Sequence, residues 1–266
     1  MRTFNSLNKI VKEVIYESDI ILEILDARFI DEMRNFEVEK KVHDLKKPLI
    51  FVFNKCDLAD KKHMEAKKRE LQNSIFISSK DRMGTKILID KIKEIADGLD
   101  PKRKTYHKSF QQEEGFEKNI VIVGLVGYPN TGKSSVINIL KGRKVADSSP
   151  HSGYTKSKKL IKITEDIYLM DTPGILRSQD IDKSNHVLVG AMDVSKLKDP
   201  ETEAIKLMRT LDGRIEKFYG VEKREEVLEA LEEIAKKFNR YRKGGIPDTE
   251  VMSRKIIQDW QRGNIK

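Results

Sequence analysis

Two spacings of apolar residues alternate through the first two thirds of the chain. From Asn5 to Ser18 they fall at Leu7, Ile10, Val11, Val14 and Ile15, one face of a helix, and the strand Asp19 to Leu25 follows. Helical spacing returns over Met33 to Leu45, Lys62 to Leu71 and Thr85 to Ala96, the last with Ile87, Leu88, Ile92 and Ile95 at core spacing. Between these runs lie compact strands at Leu49 to Phe53 and Ile75 to Ile77. A third, Asn119 to Val126, leads into the helical run Ser135 to Leu140, and Ile167 to Met170 closes the series. Strands alternating with helices predict a doubly wound α/β fold on a mainly parallel sheet. Leu99 to Lys118, polar and basic, is the seam between its two halves, and no internal repeat is present. Beyond residue 176 the strand pattern ceases. Pro200 to Leu211, Lys223 to Phe238 and Thr249 to Trp260 read as amphipathic helices, so residues 177–266 are expected to form a small α-helical carboxy-terminal domain after an α/β domain of residues 1–176. Trp260, beside Ile256 and Ile257, reads as part of that domain's core, with RNA stacking as the other reading, and Gly244-Gly245 before Pro247 reads as a helix-terminating turn.

The strand-to-helix junction at Gly127 to Ser134 reads G-Y-P-N-T-G-K-S, a phosphate-binding loop. Its glycines let the backbone bend round an anion, and successive N–H groups from Asn130, Thr131, Gly132, Lys133, Ser134 and Ser135 supply positive potential. Lys133 would reach the terminal phosphates, and Ser134 offers a hydroxyl to magnesium. Such a loop does not choose between ATP and GTP. Asn54-Lys55-Cys56-Asp57, closing the strand Leu49 to Phe53, makes that choice. A carboxylate at Asp57 accepts two hydrogen bonds, as N1–H and the exocyclic amine of guanine require, whereas adenine presents an acceptor at N1 and has no 2-amino group. A polar site left unpaired by the wrong base discriminates strongly. Lys55 would lay its stem over the purine, and Asn54 would tie this loop to the phosphate loop. Ser78-Ser79-Lys80 after the short strand would bring a main-chain N–H to the guanine O6, with Lys80 flanking the base. Asp171-Thr172-Pro173-Gly174 ends another strand, placing Asp171 to hold a magnesium-bound water and the Gly174 N–H to feel the γ-phosphate. Thr155 is the only threonine of Ser152 to Thr155, and so the candidate second magnesium hydroxyl.

Base-recognition residues thus precede the phosphate loop, the reverse of the order in ordinary small GTPases. With this order the chain resembles a circularly permuted P-loop GTPase, and within that group the YlqF/RbgA branch of ribosome-assembly GTPases. Asp26-Ala27-Arg28 after the first strand, D-T-P-G-I-L at Asp171 to Leu176, and Gly244 to Asp248 with Asp259-Trp260-Gln261-Arg262-Gly263 in the tail carry the likeness over essentially the whole chain. Phe29-Ile30 departs from the residue-then-proline expected after Asp-Ala-Arg, and the histidine-bearing amino-terminal motif of bacterial members is missing. The resemblance implies GTP hydrolysis with Mg2+, and large-subunit particles or their precursors and rRNA as partners. It further implies potassium as a cofactor, because Asn130 stands where potassium-stimulated GTPases carry their potassium ligand. A loop-capping side chain is the other reading of Asn130.

Catalysis would rest on Lys133, Thr155, Gly174 and Asn130, with charge neutralisation and backbone donors holding the transferred group in line with water. Ile175 occupies the position at which Ras-like enzymes carry a water-orienting glutamine, so unassisted hydrolysis should be slow. His151, near this region, reads as a solvated loop residue.

Charge sharpens the partner. The net charge is +9, of which residues 177–266 contribute only +2. The excess is local: Lys141 to Lys162 holds seven basic residues against Asp147, and Lys102-Arg103-Lys104 with Lys108 adds a basic connector. A third cluster, Lys236, Lys237, Arg240, Tyr241, Arg242 and Lys243 with Phe238, interleaves aromatics and cations without an acid, a composition suited to RNA phosphates and bases. The single Cys56 forms no internal disulfide and reads as inert, no apolar stretch spans a bilayer, and Met1 to Ile10 lacks a signal-peptide pattern. A soluble, cytoplasmic monomer is the expectation. A nucleotide-gated signalling switch that grips a protein partner remains the alternative function, while Asp57 disfavours an ATP-dependent kinase.

Overall fold

The computed structural model describes residues 9–99, 120–142, 159–171 and 194–265 of the chain. The chain divides into two compact units, Met1–Asp180 and Ile181–Lys266, so the boundary expected at 176/177 falls outside the described residues.

The first unit is built on six strands: β1 (Ile20–Asp26), β2 (Leu49–Asn54), β3 (Ser74–Phe76), β4 (Val121–Val126), β5 (Lys159–Lys162) and β6 (Ile167–Asp171). Their order is β3-β2-β1-β4-β6-β5, parallel throughout except that β5 runs against β6. β1, β2 and β4 are almost wholly buried, as parallel strands covered on both faces must be. Their side chains alternate. Ile20, Leu22, Ile24, Ile50, Val52, Val121, Val123 and Leu125 form one core with Leu88, Ile92 and Ala96 of one helix and Val136, Ile137 and Leu140 of another. The first of these helices is α5 (Thr85–Asp97), and the second is α6 (Lys133–Lys141). On the opposite face, Val11, Val14 and Ile15 of α1 (Lys9–Glu17) are buried. There α1 lies so close to β4 that a Cβ on Gly124 would stand 2.7 Å from Val14 Cγ1. The two halves of the permuted sequence meet at β1 and β4. Asp19 N donates to Ile122 O at 2.7 Å, and Ile122 N donates to Asp19 Oδ2 at 2.8 Å.

Two expectations are corrected here. The helix expected from Met33 to Leu45 is two pieces, α2 (Ile30–Met33) and α3 (Phe36–Asp44). The chain turns extended at Arg34 (ψ 138°), and Asn35 starts the second piece by accepting a hydrogen bond from Val38 N at 3.0 Å. Ile87 is not in the core: 64 % exposed, it lies on the outer side of α5, while Leu88, Ile92 and Ala96 form the inner stripe and Ile95 is half-buried. α4 (Lys61–Glu70), between β2 and β3, is a polar surface helix.

The second unit is helical among its described residues: α7 (Pro200–Leu211), α8 (Arg214–Tyr219), α9 (Val227–Lys237) and α10 (Thr249–Arg262). Asp199 and Asp248 cap α7 and α10, each accepting from the backbone N–H three residues on. Ala204, Leu207, Met208, Ile215, Leu231, Ile234, Met252, Ile256, Ile257 and Trp260 form its core. Asp259, 6 % exposed, accepts hydrogen bonds from Tyr219 Oη (2.6 Å), Lys255 Nζ (3.0 Å) and Asn264 Nδ2 (2.9 Å). Burial alone would push its carboxyl up, yet these donors hold it below the usual carboxylate range. Gly244-Gly245 does not terminate a helix. α9 has already ended at Phe238, and the pair (φ 90° and 77°) forms the tip of a tight turn in which Tyr241 bridges to Pro247 and Arg242 N donates to Ile246 O at 2.8 Å.

Candidate functional site

Parallel strands end on one edge of a sheet, and here the ends of β1, β2 and β4 are aligned by register: Asp26 faces Asn54, and Glu23 faces Val126. The loops leaving these strands share that edge, where ligands of open α/β sheets bind. They are the phosphate loop after β4, the Asn54–Asp57 loop after β2, the Ser78–Met83 turn beyond β3, and the segment from Asp26 to Asn35 after β1.

The phosphate loop is closed on itself. Lys133 Nζ donates to Gly127 O at 2.8 Å and Tyr128 O at 2.6 Å, and Thr131 Oγ1 donates to Tyr128 O at 3.0 Å. Asn130 stands at its exposed tip in the left-handed region (φ 62°). Ser134 and Ser135 are both exposed in the first turn of α6, where the helix dipole favours an anion. Thr131 is buried.

Asn54 joins three of the loops. Its Nδ2 donates to Thr131 O in the phosphate loop at 2.8 Å, while its Oδ1 accepts from Ser79 Oγ at 2.6 Å and Ser79 N at 3.2 Å. The amide thus uses both ends to fix loops 25 and 77 residues away in sequence. Gly132 is required by the same contact: φ is 93°, and a Cβ there would lie 2.1 Å from Asn54 Nδ2.

The base-side loop is held equally firmly. Lys55 adopts φ 60° and ψ 33°, and its Nζ lies 3.0 Å from Asp26 Oδ2. Asp26, 0 % exposed, also receives Arg28 Nε at 3.0 Å and Nη2 at 2.9 Å. Burial would raise this carboxyl, but the Arg28 hydrogen bonds and the Lys55 and Arg28 charges outweigh it and hold the group below the usual range. Asp26 therefore stays a carboxylate that orients the Lys55 stem. Asp57 follows, half-buried, in a single 3-10 turn. Cys56 is buried, and burial together with the Asp57 and Asp81 charges raises its thiol, in keeping with an inert side chain. In the neighbouring turn, Ser78 N donates to Met83 O at 3.2 Å and Ser79 N is taken by Asn54. Lys80, exposed, keeps the N–H of this trio that bonds to no other described residue.

Strand β6 brings the Asp171 backbone beside the phosphate-loop strand, since Met170 pairs with Gly124. Thr155, Gly174, Ile175, His151, the Lys102–Lys108 connector and most of the Lys141–Lys162 cluster lie outside the described residues. In the second unit, residues 236–246 form one exposed run. The cluster is not acid-free in space, however. Arg242 lies 3.2 Å from Asp248, 3.4 Å from Glu201 and 3.6 Å from Glu250, Lys236 pairs with Glu232 at 3.7 Å, and Lys237 Nζ donates to Gly220 O at 2.6 Å. Phe238 packs edge-on against Tyr219 at 5.4 Å. Arg240, Tyr241 and Lys243 remain exposed.

Sequence reasoning assigned no role to Asp26, Arg28, Glu23, Asn35 or Tyr128. The Asp-Ala-Arg triplet and an acid inside an apolar strand were the visible signals.

A P-loop joined through one asparagine to an Asn-Lys-x-Asp base loop, on a mainly parallel sheet whose halves are exchanged in sequence, defines a circularly permuted GTPase. Comparison with known proteins agrees. Residues 122–241 match the profile of the family described as 50S ribosome-binding GTPase. The chain is 37% identical over 264 residues to an uncharacterised GTP-binding protein of Methanocaldococcus jannaschii, covering 97% of this chain and 66% of that protein. It is 33% identical to nucleolar GTP-binding protein 2 of Neurospora crassa and 31% to nuclear/nucleolar GTPase 2 of Arabidopsis thaliana, spanning 41% and 42% of their lengths. The crystal structure of GNP-bound YlqF from T. maritima superposes with a TM-score of 0.62 at 22% identity, covering 96% of this chain and 93% of that one. The chain belongs to the GTPase family of these GTP-binding relatives, and it shares the fold of YlqF.

Proposed function

We propose that the chain binds GTP at this edge, hydrolyses it to GDP and phosphate, and acts in assembly of the large ribosomal subunit through nucleotide-dependent contact with its RNA-rich precursor. The observation that carries the reading is the Asn54 amide, which holds the base loop, the Ser79 turn and the phosphate loop as one site. The ribosomal role is supported by the description of the matched family and by the nucleolar relatives.

In this reading Asp57 accepts from guanine, the Lys80 N–H meets O6, and the Lys55 stem, steered by Asp26, covers the ring. Lys133 leaves the Gly127 and Tyr128 carbonyls for the terminal phosphates, and the first-turn N–H groups of α6 orient them. The Ser134 hydroxyl at the helix start fits a divalent cation, and with Asp171 and Thr155 it would hold Mg2+, which supplies charge neutralisation when bound. Gly174 N–H would sense the γ-phosphate. Because Ile175 cannot orient water, turnover is slow until ribosomal particles, or potassium at Asn130, assist. Equal rates in potassium and sodium buffers would exclude the latter. The exposed Arg240, Tyr241 and Lys243, with Lys236, Lys237 and Arg242 beside them, form the RNA-facing surface of the second unit.

Asp57→Asn tests the base site: GTP affinity should fall about a hundredfold or more while xanthosine triphosphate binding rises, and unchanged GTP affinity sinks the assignment. For the ribosomal role, GTP turnover is measured with and without purified large subunits. No stimulation, together with no co-sedimentation in a non-hydrolysable GTP analogue, would remove it.

A further inference from the structure

Glu23 is a carboxyl in the middle of a central strand, 0 % exposed, with no part in the chemistry above. Its Oε1 accepts from Asn35 N at 2.9 Å, and its Oε2 is buried without a hydrogen-bond partner among the described residues. Asn35 is a junction. Its Oδ1 accepts from Val38 N at 3.0 Å to start α3, and its Nδ2 donates to Tyr128 Oη at 3.2 Å, 93 residues away. Tyr128, 2 % exposed, is the second residue of the phosphate loop. Its ring hydroxyl is tied to Asn35, and its main-chain oxygen receives Lys133 Nζ and Thr131 Oγ1. When Lys133 turns to a phosphate, the Tyr128 carbonyl loses that donor, and the hydroxyl tie is a restraint on this corner of the loop that survives.

We propose that Asn35 and Tyr128 are positioning residues for nucleotide binding: anchored on Glu23, the Asn35–Tyr128 hydrogen bond holds the phosphate loop in its binding geometry before any nucleotide arrives. The inference rests on the guanine-nucleotide reading of the site. A preorganised loop lowers the cost of binding without touching the reacting atoms, so the bond acts equally on GDP, GTP and the transition state. Its loss therefore raises KM and leaves kcat alone.

Tyr128→Phe removes the hydroxyl and keeps the ring. Asn35→Ser keeps an N-cap oxygen for Val38 N and removes the amide donor. Each should weaken GDP and GTP by about two- to tenfold, the worth of one hydrogen bond, with KM rising in step and kcat within about twofold. The double variant should be no weaker than the weaker single one, since both break the same bond. Independent, additive losses, or a fall in melting temperature with KM unmoved, would overturn the proposal. If Asn35→Ser fails to fold, Tyr128→Phe alone decides through the KM-against-kcat split. A native chain that binds no guanine nucleotide would instead defeat the site reading itself, and that result is separate from variants that bind as the native chain does.

Discussion

Asp26 in the first unit and Asp259 in the second are chemically similar and functionally unlike. Both are buried carboxylates held below their usual range by donors that outweigh desolvation. The donors to Asp259, Tyr219, Lys255 and Asn264, all belong to the helical unit, so its hydrogen bonds close α8, α10 and the residues that follow α10 upon one another. Asp26 holds Arg28 two residues away and Lys55 of the Asn54–Asp57 loop, so its charge aims a residue of the candidate site. Burial and a lowered pKa do not mark a functional acid by themselves. What separates the two is whether a partner faces a site.

The comparison can be pressed hardest at Asn54. Asn54→Ala leaves the Thr131 carbonyl and the Ser79 hydroxyl and N–H without their partner, at a cost of about 3 kcal/mol to the first unit, and guanine-nucleotide affinity should drop about a hundredfold or more. The single tryptophan, Trp260, sits in the helical unit. Its fluorescence melt should therefore be unmoved while nucleotide binding collapses, and a matching shift in both would show that the units unfold as one.

Asp259→Ala is the converse. Stripping Tyr219, Lys255 and Asn264 of their acceptor should destabilise the helical unit by about 2 kcal/mol, lowering the Trp260 melt, with GDP affinity unchanged by titration. A loss of nucleotide affinity would mean that Asp259 does reach the site.

Glu23 adds pH to the contrast. Burial, opposed by the Asn35 N–H and assisted by the Glu39 charge against that of Arg34, pushes its carboxyl from the usual 4.5 to about 8. Between those values the native chain keeps a proton that the unfolded chain has released, so this group's contribution to stability falls as pH rises from near 4.5 and is gone above about 8. Glu23→Gln keeps the Oε1 acceptor and cannot ionise. The variant should melt above the native chain at about pH 8.5 and draw level towards about pH 5, and a gap that does not change with pH would show Glu23 to be charged.

The smallest effect is expected at Arg242. Its three carboxylate neighbours are surface pairs with the arginine side chain 47% exposed, so Arg242→Ala should cost less than about 1 kcal/mol. RNA affinity, if this surface binds RNA, should fall less than for Lys243→Ala, because Arg242 is already shared among acids. Filter binding at low salt would rank the two.

Much of the first unit is legible in the sequence because its signals are local. Apolar runs of strand length, glycines where the backbone must turn, and a lysine-serine pair opening a helix each follow from neighbours along the chain. The expectations fail where two local signals compete. Met33 to Leu45 carries helical spacing, but Asn35 offers a better start than a continuation, and the helix begins there. Ile87 has the period of a core residue, yet the inner stripe of α5 runs through Leu88 and Ile92. In the second unit the Gly244-Gly245 pair points correctly to left-handed backbone but not to which turn uses it.

The sequence by itself determined the kind of ligand loops this protein carries, their exchanged order and the elements that bear them, because backbone conformation and amphipathic period are written in adjacent residues. Only the tertiary structure decided which of those loops touch. That Asn54 binds Thr131 and Ser79, that Asp26 steers Lys55, and that Glu23 and Asn35 reach Tyr128 depends on strand order and register in the sheet. Likewise, nothing within Lys236 to Lys243 foretells the acids around Arg242, among them Glu201 of α7 and Glu250 of α10. Buried polar groups find partners where the fold brings them, and the hydrogen-bond partners named here lie 12 to 93 residues away, beyond what a local pattern encodes.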